Sequence, residues 1–552
     1  MTALVLLAGA RVVVATGPVT QMVYGNDAFV LLDGAWRVLQ GQRPHVDFNT
    51  SLGFGIFVIV AAGLKVFGHS VEALPPTLAS LGVIAGAWCW LVTAPRLRSA
   101  PWLASALSLV AGTFTYSAYF LDDVPVGASY VGAYNHGSHA LLVILAADVM
   151  LRVDGASRWR EVAYGASSGL ILGVFAITKQ TFLLPSAVLL VIAASHLRRG
   201  RAWWRSLAAM LGAVLLASTV YLRGDLLSVA RDFLFVARAR GHTVGRSEHA
   251  PFIYLMSHRG LNVDAGKIFE VLRLESSRLA AFTLACAVRV YPFDGLLRSP
   301  ARRDDRRDLV AVAAVLASSL GVLLTSWHWA YLPATALLCV ALAQAQREGA
   351  TPLPSPDARR LRALVMQFLA LAVCADLVGK SAFAMAIARS ARGYRDDPAT
   401  AIDAPATRGM QVWRAGYCEP DTFGARMTDG VAVLRGARDQ RGTIFVMDFV
   451  NPFSFALRRR SPRGDAVSWS MRASFNERVY LLAEQVFHDV DLVMVPRCPL
   501  EPWTTELMAR IYRDTLDRDF MRESETRYWT LLSRRAPRGV ARAVARPPKP
   551  HR

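Results

Sequence analysis

The chain has 552 residues, of which 53% are hydrophobic and only 19% charged, and its mean hydropathy is +0.30. A soluble chain of this length carries about a quarter charged residues, and here the apolar residues bunch into runs near the ~20 that cross a bilayer, which excludes an ordinary soluble protein. The formal charge of +20 does not point to nucleic acid, because the arginines sit mainly in short loops between apolar runs and in the C-terminal part.

The first apolar run covers 3–20, carries Arg11 near its middle and lacks a basic leading segment, so no cleavable signal is expected. Further runs fall at roughly 51–68, 76–94, 101–120, 138–151, 161–178, 181–197, 206–222, 278–297, 308–326, 330–346 and 363–388. These predict a polytopic all-α membrane domain over 1–388 with about 10–13 spans, followed by a folded domain over 389–533 and a Pro- and Arg-rich, disordered tail over 534–552.

Orientation follows from charge. Arg96 and Arg98, then Arg152, Arg158 and Arg160, then Arg198 to Arg205, and later Arg298 to Arg307 and Arg347 to Arg362 mark five basic loops. These alternate with poorly charged or long loops, so all five are cytoplasmic at once. The loops 121–137 and 223–277, the turn at Lys179-Gln180, the turn at Trp327–Trp329 and the domain from 389 onward then face outward. At the N-terminal end the count conflicts. Going backward from Arg96 through two full spans puts 24–50 inside, whereas going forward from a cytoplasmic N-terminus puts it outside. Either one early run is not a full span or the loop Pro95–Ala100 faces outward.

The terminal domain reads as alternating α and β. Thr443–Asp448, Asp491–Pro496 and Tyr528–Leu532 are strand-like, and Glu477–His488 and Glu506–Glu523 have helical spacing. Asp448-Phe-Val-Asn451-Pro452-Phe453 after the first strand is either a structural turn or a binding loop. Of six cysteines, Cys89, Cys286, Cys339 and Cys374 lie in apolar runs as small buried hydrophobes. Cys418 and Cys498 have no metal-ligand spacing; facing outward, they are a disulfide candidate, the alternative being two buried thiols.

The most informative stretch is the first hydrophilic loop, Tyr24-Gly-Asn-Asp27-Ala-Phe-Val-Leu-Leu-Asp33-Gly-Ala-Trp-Arg37-Val-Leu-Gln-Gly41-Gln-Arg-Pro44-His45-Val-Asp47-Phe48. Ala28–Leu39 has the spacing of an amphipathic helix lying on a membrane face, and Asp27 at its start is suited to cap free amides. Asp27, the helix, Gly41, Pro44, Asp47 and Phe48 resemble the first outer loop of GT-C glycosyltransferases, the branch that uses polyprenyl-phosphate sugars: protein O-mannosyltransferases, aminoarabinose transferases and lipopolysaccharide sugar transferases. Ala28, His45 and Ser51-Leu52 depart from that pattern, and Ala28 removes the second carboxylate. The resemblance covers about 45 residues closely and the many-span layout loosely, and it places 24–50 outside.

The resemblance implies that Asp27 is the general base on an acceptor hydroxyl, with Asp47 orienting the acceptor or holding the loop. It implies inversion at the anomeric carbon and a polyprenyl phosphate as leaving group, good enough at neutral pH that no metal or other cofactor is obligatory. The leaving phosphate calls for positive charge at the membrane boundary. Lys179, with Gln180, is the leading phosphate ligand, the alternative being a snorkelling anchor. Arg240 and Arg259 in the 223–277 loop come next, beside the bland reading of a headgroup-facing surface. Tyr134-Asn135-His136 stands where some GT-C relatives carry a Tyr-Asn-basic group, and His328 between two tryptophans is a further sugar-binding candidate or part of an interfacial aromatic belt. Sequence thus points to a multi-pass glycosyltransferase of a bacterial-type inner membrane with a periplasmic C-terminal domain. Its partners would be a lipid-linked donor and an envelope lipid, glycan or protein acceptor. The rivals are an envelope polysaccharide ligase or polymerase, working through Arg and His of 223–277, and a transporter or anchored binding protein without chemistry.

Overall fold

A computed structural model describes residues 1–21, 26–98, 100–116, 130, 132–151, 157–195, 200–241, 402–407, 409–413, 423–471 and 474–535. The runs between 278 and 388, the turn at Trp327–Trp329 and the 534–552 tail, apart from its first two residues, lie outside the described residues.

Among the described residues seven helices make a bundle, α1 (Thr2–Thr16), α4 (Leu74–Thr93), α5 (Pro101–Tyr116), α6 (Ala133–Met150), α7 (Arg158–Thr178), α8 (Leu183–Ser195) and α9 (Arg201–Tyr221), while α2 (Asp27–Leu39), α3 (Phe54–Phe67) and α10 (Leu226–Gly241) lie at one end of it. Three helical segments, Val71–Arg96, Arg158–Thr178 and Arg201–Tyr221, are long and apolar enough to cross a membrane. Alternation of direction is visible in the contacts. Lys179 after α7 meets Tyr134 at the start of α6, and Arg96 after α4 meets Asp148 near the end of α6 at the other extreme. Helices α7 and α9 run parallel. Added Cβ atoms on Gly165, Gly169 and Gly173 would fall within 2.2, 2.3 and 2.7 Å of Trp203, Leu207 and Val214 in turn. Glycines four apart make one groove on α7, and through it the two backbones approach closely.

Helix α3 settles the conflict in the span count. Its start is held where Gly53 N–H donates to Thr178 O at 3.2 Å and Phe54 stacks on Tyr221 at 5.6 Å. Just past its end, His69 packs edge-on to Trp36 and Val71 N–H donates to Ala406 O. Both ends therefore lie at the same end of the bundle, beside the terminal domain. Fourteen residues reach only about 21 Å. The run 51–68, counted as a span from its hydropathy, does not cross the bundle. With it removed, 24–50 and the terminal domain share one end and Arg96 takes the other.

Helix α2 also differs from expectation. Rather than lying on a membrane face with one side free, it is buried on several faces, Asp33 and Arg37 included. Gly34 faces the Phe57 ring of α3 so closely that a Cβ would sit 2.3 Å from it. Segment 459–467 of the terminal domain covers the other side. Trp36 Nε1 and Gln40 Nε2 donate to Arg459 O at 2.7 and 2.9 Å, and Gln42 Nε2 donates to Ser461 O at 2.8 Å.

In the terminal domain, α11 (Phe423–Arg435) and α12 (Pro502–Asp519) flank a sheet of β3 (Ile444–Val446), β4 (Leu492–Pro496), β5 (Phe520–Glu525) and β6 (Trp529–Arg534). The strand order is β3-β4-β6-β5, with β3 and β4 parallel and the other pairs antiparallel. A separate two-stranded pair joins β1 (Val19–Gln21), after α1, to β2 (Gln411–Trp413). Side chains alternate across strands. Ile444, Val446, Leu492 and Met494 therefore pack toward α2, α3 and α11, while Phe445, Met447 and Val493 pack with Leu507, Met508 and Tyr512 of α12. Cover on both faces explains why these strands read as unbroken apolar runs.

Further expectations are corrected, and the first is the helix read over Glu506–Glu523, which ends at Asp519 where strand β5 begins. Glu477–His488 is not a long helix: only Ala483–Val486 is helical, because Asn476 Oδ1 accepts from the backbone of Arg478 and Val479 and turns the chain. The segment after 223 is not all loop, since α10 fills its first part. Arg96, counted among the basic-loop residues, is buried. Its guanidinium is buried against Asp148 at 2.6 Å and lies 3.6 Å over the Tyr164 ring.

Candidate functional site

Asp27 is the first residue of α2 and half-buried, and Asn26 rather than Asp27 holds the cap position. A carboxylate in the first turn is favoured by the helix dipole. From Leu39 the chain turns through Gly41, whose φ of 78° suits glycine, into the Pro44–Phe48 loop. There Asp47 Oδ2 accepts from Arg43 N–H and Nε at 2.7 and 3.1 Å, and Asp47 O accepts from Gly464 N–H at 2.7 Å. Asp47 is thus a loop-closing residue that also ties the loop to the terminal domain.

Beneath it lies a buried ionic cluster. Arg37 Nε donates to Asp33 at 2.7 Å, and its two terminal nitrogens reach Asp465 at 2.6 and 3.1 Å. Ser461 Oγ donates to the other oxygen of Asp33. Burial pushes the Asp465 carboxyl up to about 6 against the opposing pull of Arg37. One guanidinium facing two buried carboxylates cannot fully offset the desolvation of both.

A second buried node joins the loop to α10. His45 stands at a φ of 66°, and its Nδ1 lies 2.8 Å from Asp232 Oδ2. Asn49 Nδ2 and Thr50 N–H donate to the same carboxylate at 2.6 and 2.9 Å. Helix α10 in turn docks on the terminal domain, where Asn476 Nδ2 donates to Ala239 O. Both oxygens of Asp232 are therefore engaged in holding 45–50 in place.

Lys179 follows α7. Its ammonium donates to Tyr134 Oη at 2.9 Å and sits 4.3 Å from the centre of that ring. An ammonium has three donors, and the tyrosine uses one. Gln180 Nε2 donates back to Ala176 O, which makes it a helix-end cap. Asn135 and His136 lie in the first turn of α6, where Asn135 Oδ1 is a buried acceptor without a hydrogen bond. The Gly53–Thr178 hydrogen bond sets the loop that carries Asp47 directly beside the Lys179 turn.

The remaining candidates are not brought to this place by the described residues. Arg240 lies on α10, but its side chain, Arg259, His328 and Cys418 are outside the described residues. Cys498 is in a disulfide, whose partner is likewise outside them. Asp448 and Asn451 are structural: Asp448 pairs with Arg426 and accepts from Leu500 N–H, while Asn451 bonds Ile444 O, Ser454 and Phe453 N–H. Among the described residues no group of three or more His, Cys, Asp or Glu side chains is placed to hold a metal ion. Sequence reasoning did not single out Asp33, Arg37, Asp232 or Asp465. Only the four-residue spacing of Asp33 and Arg37 was a local signal.

No protein-family model and no curated protein sequence matches the chain. Among solved structures, the chain is similar to ArnT from Cupriavidus metallidurans bound to undecaprenyl phosphate, at 12% identity and a TM-score of 0.45, covering 96% of this chain and 97% of that one. The same protein in the apo state gives a TM-score of 0.47 at 12% identity, with the same coverage. The archaeal oligosaccharyltransferase AglB from Archaeoglobus fulgidus, in complex with an inhibitory peptide and a dolichol-phosphate, gives 13% identity and a TM-score of 0.39, covering 89% of this chain and 69% of that one.

Proposed function

We propose that the chain is a membrane glycosyltransferase that moves a sugar from a polyprenyl-phosphate carrier to a hydroxyl of an envelope acceptor, on the side of the membrane that holds its terminal domain. The observation that carries this reading is the convergence of the first loop and the Lys179–Tyr134 pair at one end of an apolar bundle, under a folded domain. On this reading Asp27 would serve the acceptor and Lys179 the leaving phosphate, both at the end of the bundle where a lipid-borne donor would present its headgroup.

The acceptor oxygen attacks the anomeric carbon and its proton passes to Asp27. The bond from that carbon to the phosphate oxygen breaks, and the polyprenyl phosphate leaves with the electron pair. Lys179 opposes the charge gathering on that phosphate, and Tyr134 fixes the direction of the ammonium. Direct displacement by a single base inverts the anomeric carbon. Asp47 and Asp232 hold the loop and do not touch the reacting atoms.

The test is a mass-spectrometric profile of envelope glycans in a strain lacking the gene, complemented with wild type, Asp27→Asn or Lys179→Gln. One sugar should vanish on deletion and return with wild type only, with Asp27→Asn at least a hundredfold down while protein levels hold. Restoration by Asp27→Asn would remove the base, and a profile unaffected by deletion would remove the transferase.

A further inference from the structure

A basic cavity of about 440 Å³ opens on the terminal domain, lined by Arg435, Gln440, Arg441, Arg458, Arg459 and Arg460 together with Leu457. It takes no part in the chemistry above. Two separate stretches build it: the end of α11 with the turn after it, and the segment 457–460. Five arginines line it, and the described carboxylates that pair with or act on them are Asp403, with Arg435, and Asp439, with Arg459. The cavity is therefore strongly positive on balance, and concentrating like charge in this way costs stability unless an anion answers it.

Two details mark it as a receiving site. Arg459 Nη2 donates to Leu434 O at 2.7 Å, but its Nη1 is buried without a hydrogen-bond partner, a penalty that a bound acceptor would relieve. Arg458 has a φ of 54°, a left-handed conformation costly for a residue with a Cβ. Only in that turn do three consecutive arginines follow Leu457 around a single opening.

Its neighbourhood identifies the ligand class. Arg458 reaches His69 O at 3.4 Å, just past the end of α3. There Val66 and Phe67 are 73% and 45% exposed, and Lys65 is exposed beside them. An exposed apolar helix end next to a basic cavity suits an amphiphile with an anionic head. Planar guanidinium forks suit phosphate in particular. We propose that this cavity binds the phosphate headgroup of an anionic membrane lipid, whose chains lie along Val66 and Phe67 of α3.

The full chain in detergent would be titrated with phosphatidylglycerol, phosphatidylcholine or inorganic pyrophosphate, following bound lipid by native mass spectrometry and the melting temperature in parallel. Phosphatidylglycerol should bind saturably and at least tenfold more tightly than phosphatidylcholine, and pyrophosphate should compete with it. Arg441→Glu with Arg460→Glu should weaken binding at least tenfold, and the double lysine variant should recover most of it. Arg458→Gly relaxes the left-handed backbone while deleting one charge, so it should bind more weakly without melting earlier. Wild-type affinity in the glutamate variant, or no preference for phosphatidylglycerol over phosphatidylcholine, overturns the proposal. Pyrophosphate binding that lipid does not displace overturns the lipid assignment.

Discussion

Arg37 is the residue on which the first loop turns. It is buried with both partners, and two carboxylates on one guanidinium leave Asp465 with its pKa raised to about 6 from 3.8. A raised native value means that the folded state holds the proton longer than the unfolded chain. Its contribution is present below about 3.8 and is lost as pH rises through 6. The stability difference between wild type and Asp465→Asn should accordingly shrink by up to about 3 kcal/mol between pH 4 and pH 6.5. Melting curves in detergent at stepped pH check this, and a flat difference refutes it. Arg37→Met strands both carboxylates and should cost about 3–5 kcal/mol, read the same way. The members of the proposed site were partly legible as candidates. Asp27, Lys179 and Tyr134 are residue types that invite attention at a membrane boundary, but the Lys179–Tyr134 contact joins positions 45 apart and His45–Asp232 joins positions 187 apart. Nothing local announces such pairs. Asp33 and Arg37 look in sequence like an ordinary surface pair one helical turn apart, and only segment 461–465 turns them into a buried triad.

At the scale of elements, hydropathy located most of the described helices and periodicity located β3, β4 and β6 but not β1, β2 or β5, and neither measured direction. α3 is apolar nearly all round, and an apolar run says that a segment leaves water, not whether it crosses a bundle or lies across its end. Its crossing is denied by contacts at both ends, with Thr178 and Tyr221 on one side and with Trp36 and Ala406 on the other. The α7–α9 seam has a local signal in the four-residue repeat of Gly165, Gly169 and Gly173, but that spacing does not say which helix fills the groove. Gly169→Leu drives a side chain into the Leu207 carbonyl, 2.3 Å from where its Cβ would stand. This should cost about 3 kcal/mol or more, measured as an earlier melt, whereas Gly212→Leu, in open space, should be close to neutral.

For the whole molecule, the placement of α3 fixes which segments share a side. Single cysteines at His69 and Glu484 should react with an impermeant maleimide from the same side of the membrane, and one at Trp159 only after the cells are opened. All three positions are exposed. Labelling of His69→Cys together with Trp159→Cys, and not with Glu484→Cys, would restore 51–68 as a span. The alternating basic loops already implied opposite sides for Trp159 and the terminal domain, whereas the outward placement of 24–50 came from the resemblance. The one obstacle to reading it from sequence was the assumption that every apolar run of sufficient length crosses.

The seam between α2 and segment 459–467 also has a consequence in time. Arg37 and Asp465 are 428 positions apart, and at 5–20 residues per second a ribosome needs roughly 20 to 90 s to travel between them. Throughout that interval the first loop is already out of the ribosome, while the domain that will cover it does not yet exist. Asp33, one turn away on the same helix, is the partner available to Arg37 from the start. The nascent helix can thus wait as a neutral pair and exchange that provisional state for the finished triad only when segment 459–467 arrives. Closure of the first loop against segment 459–467 waits on that late stretch of chain, and a chain cut short before 459 would reach the membrane with Arg37 lacking Asp465.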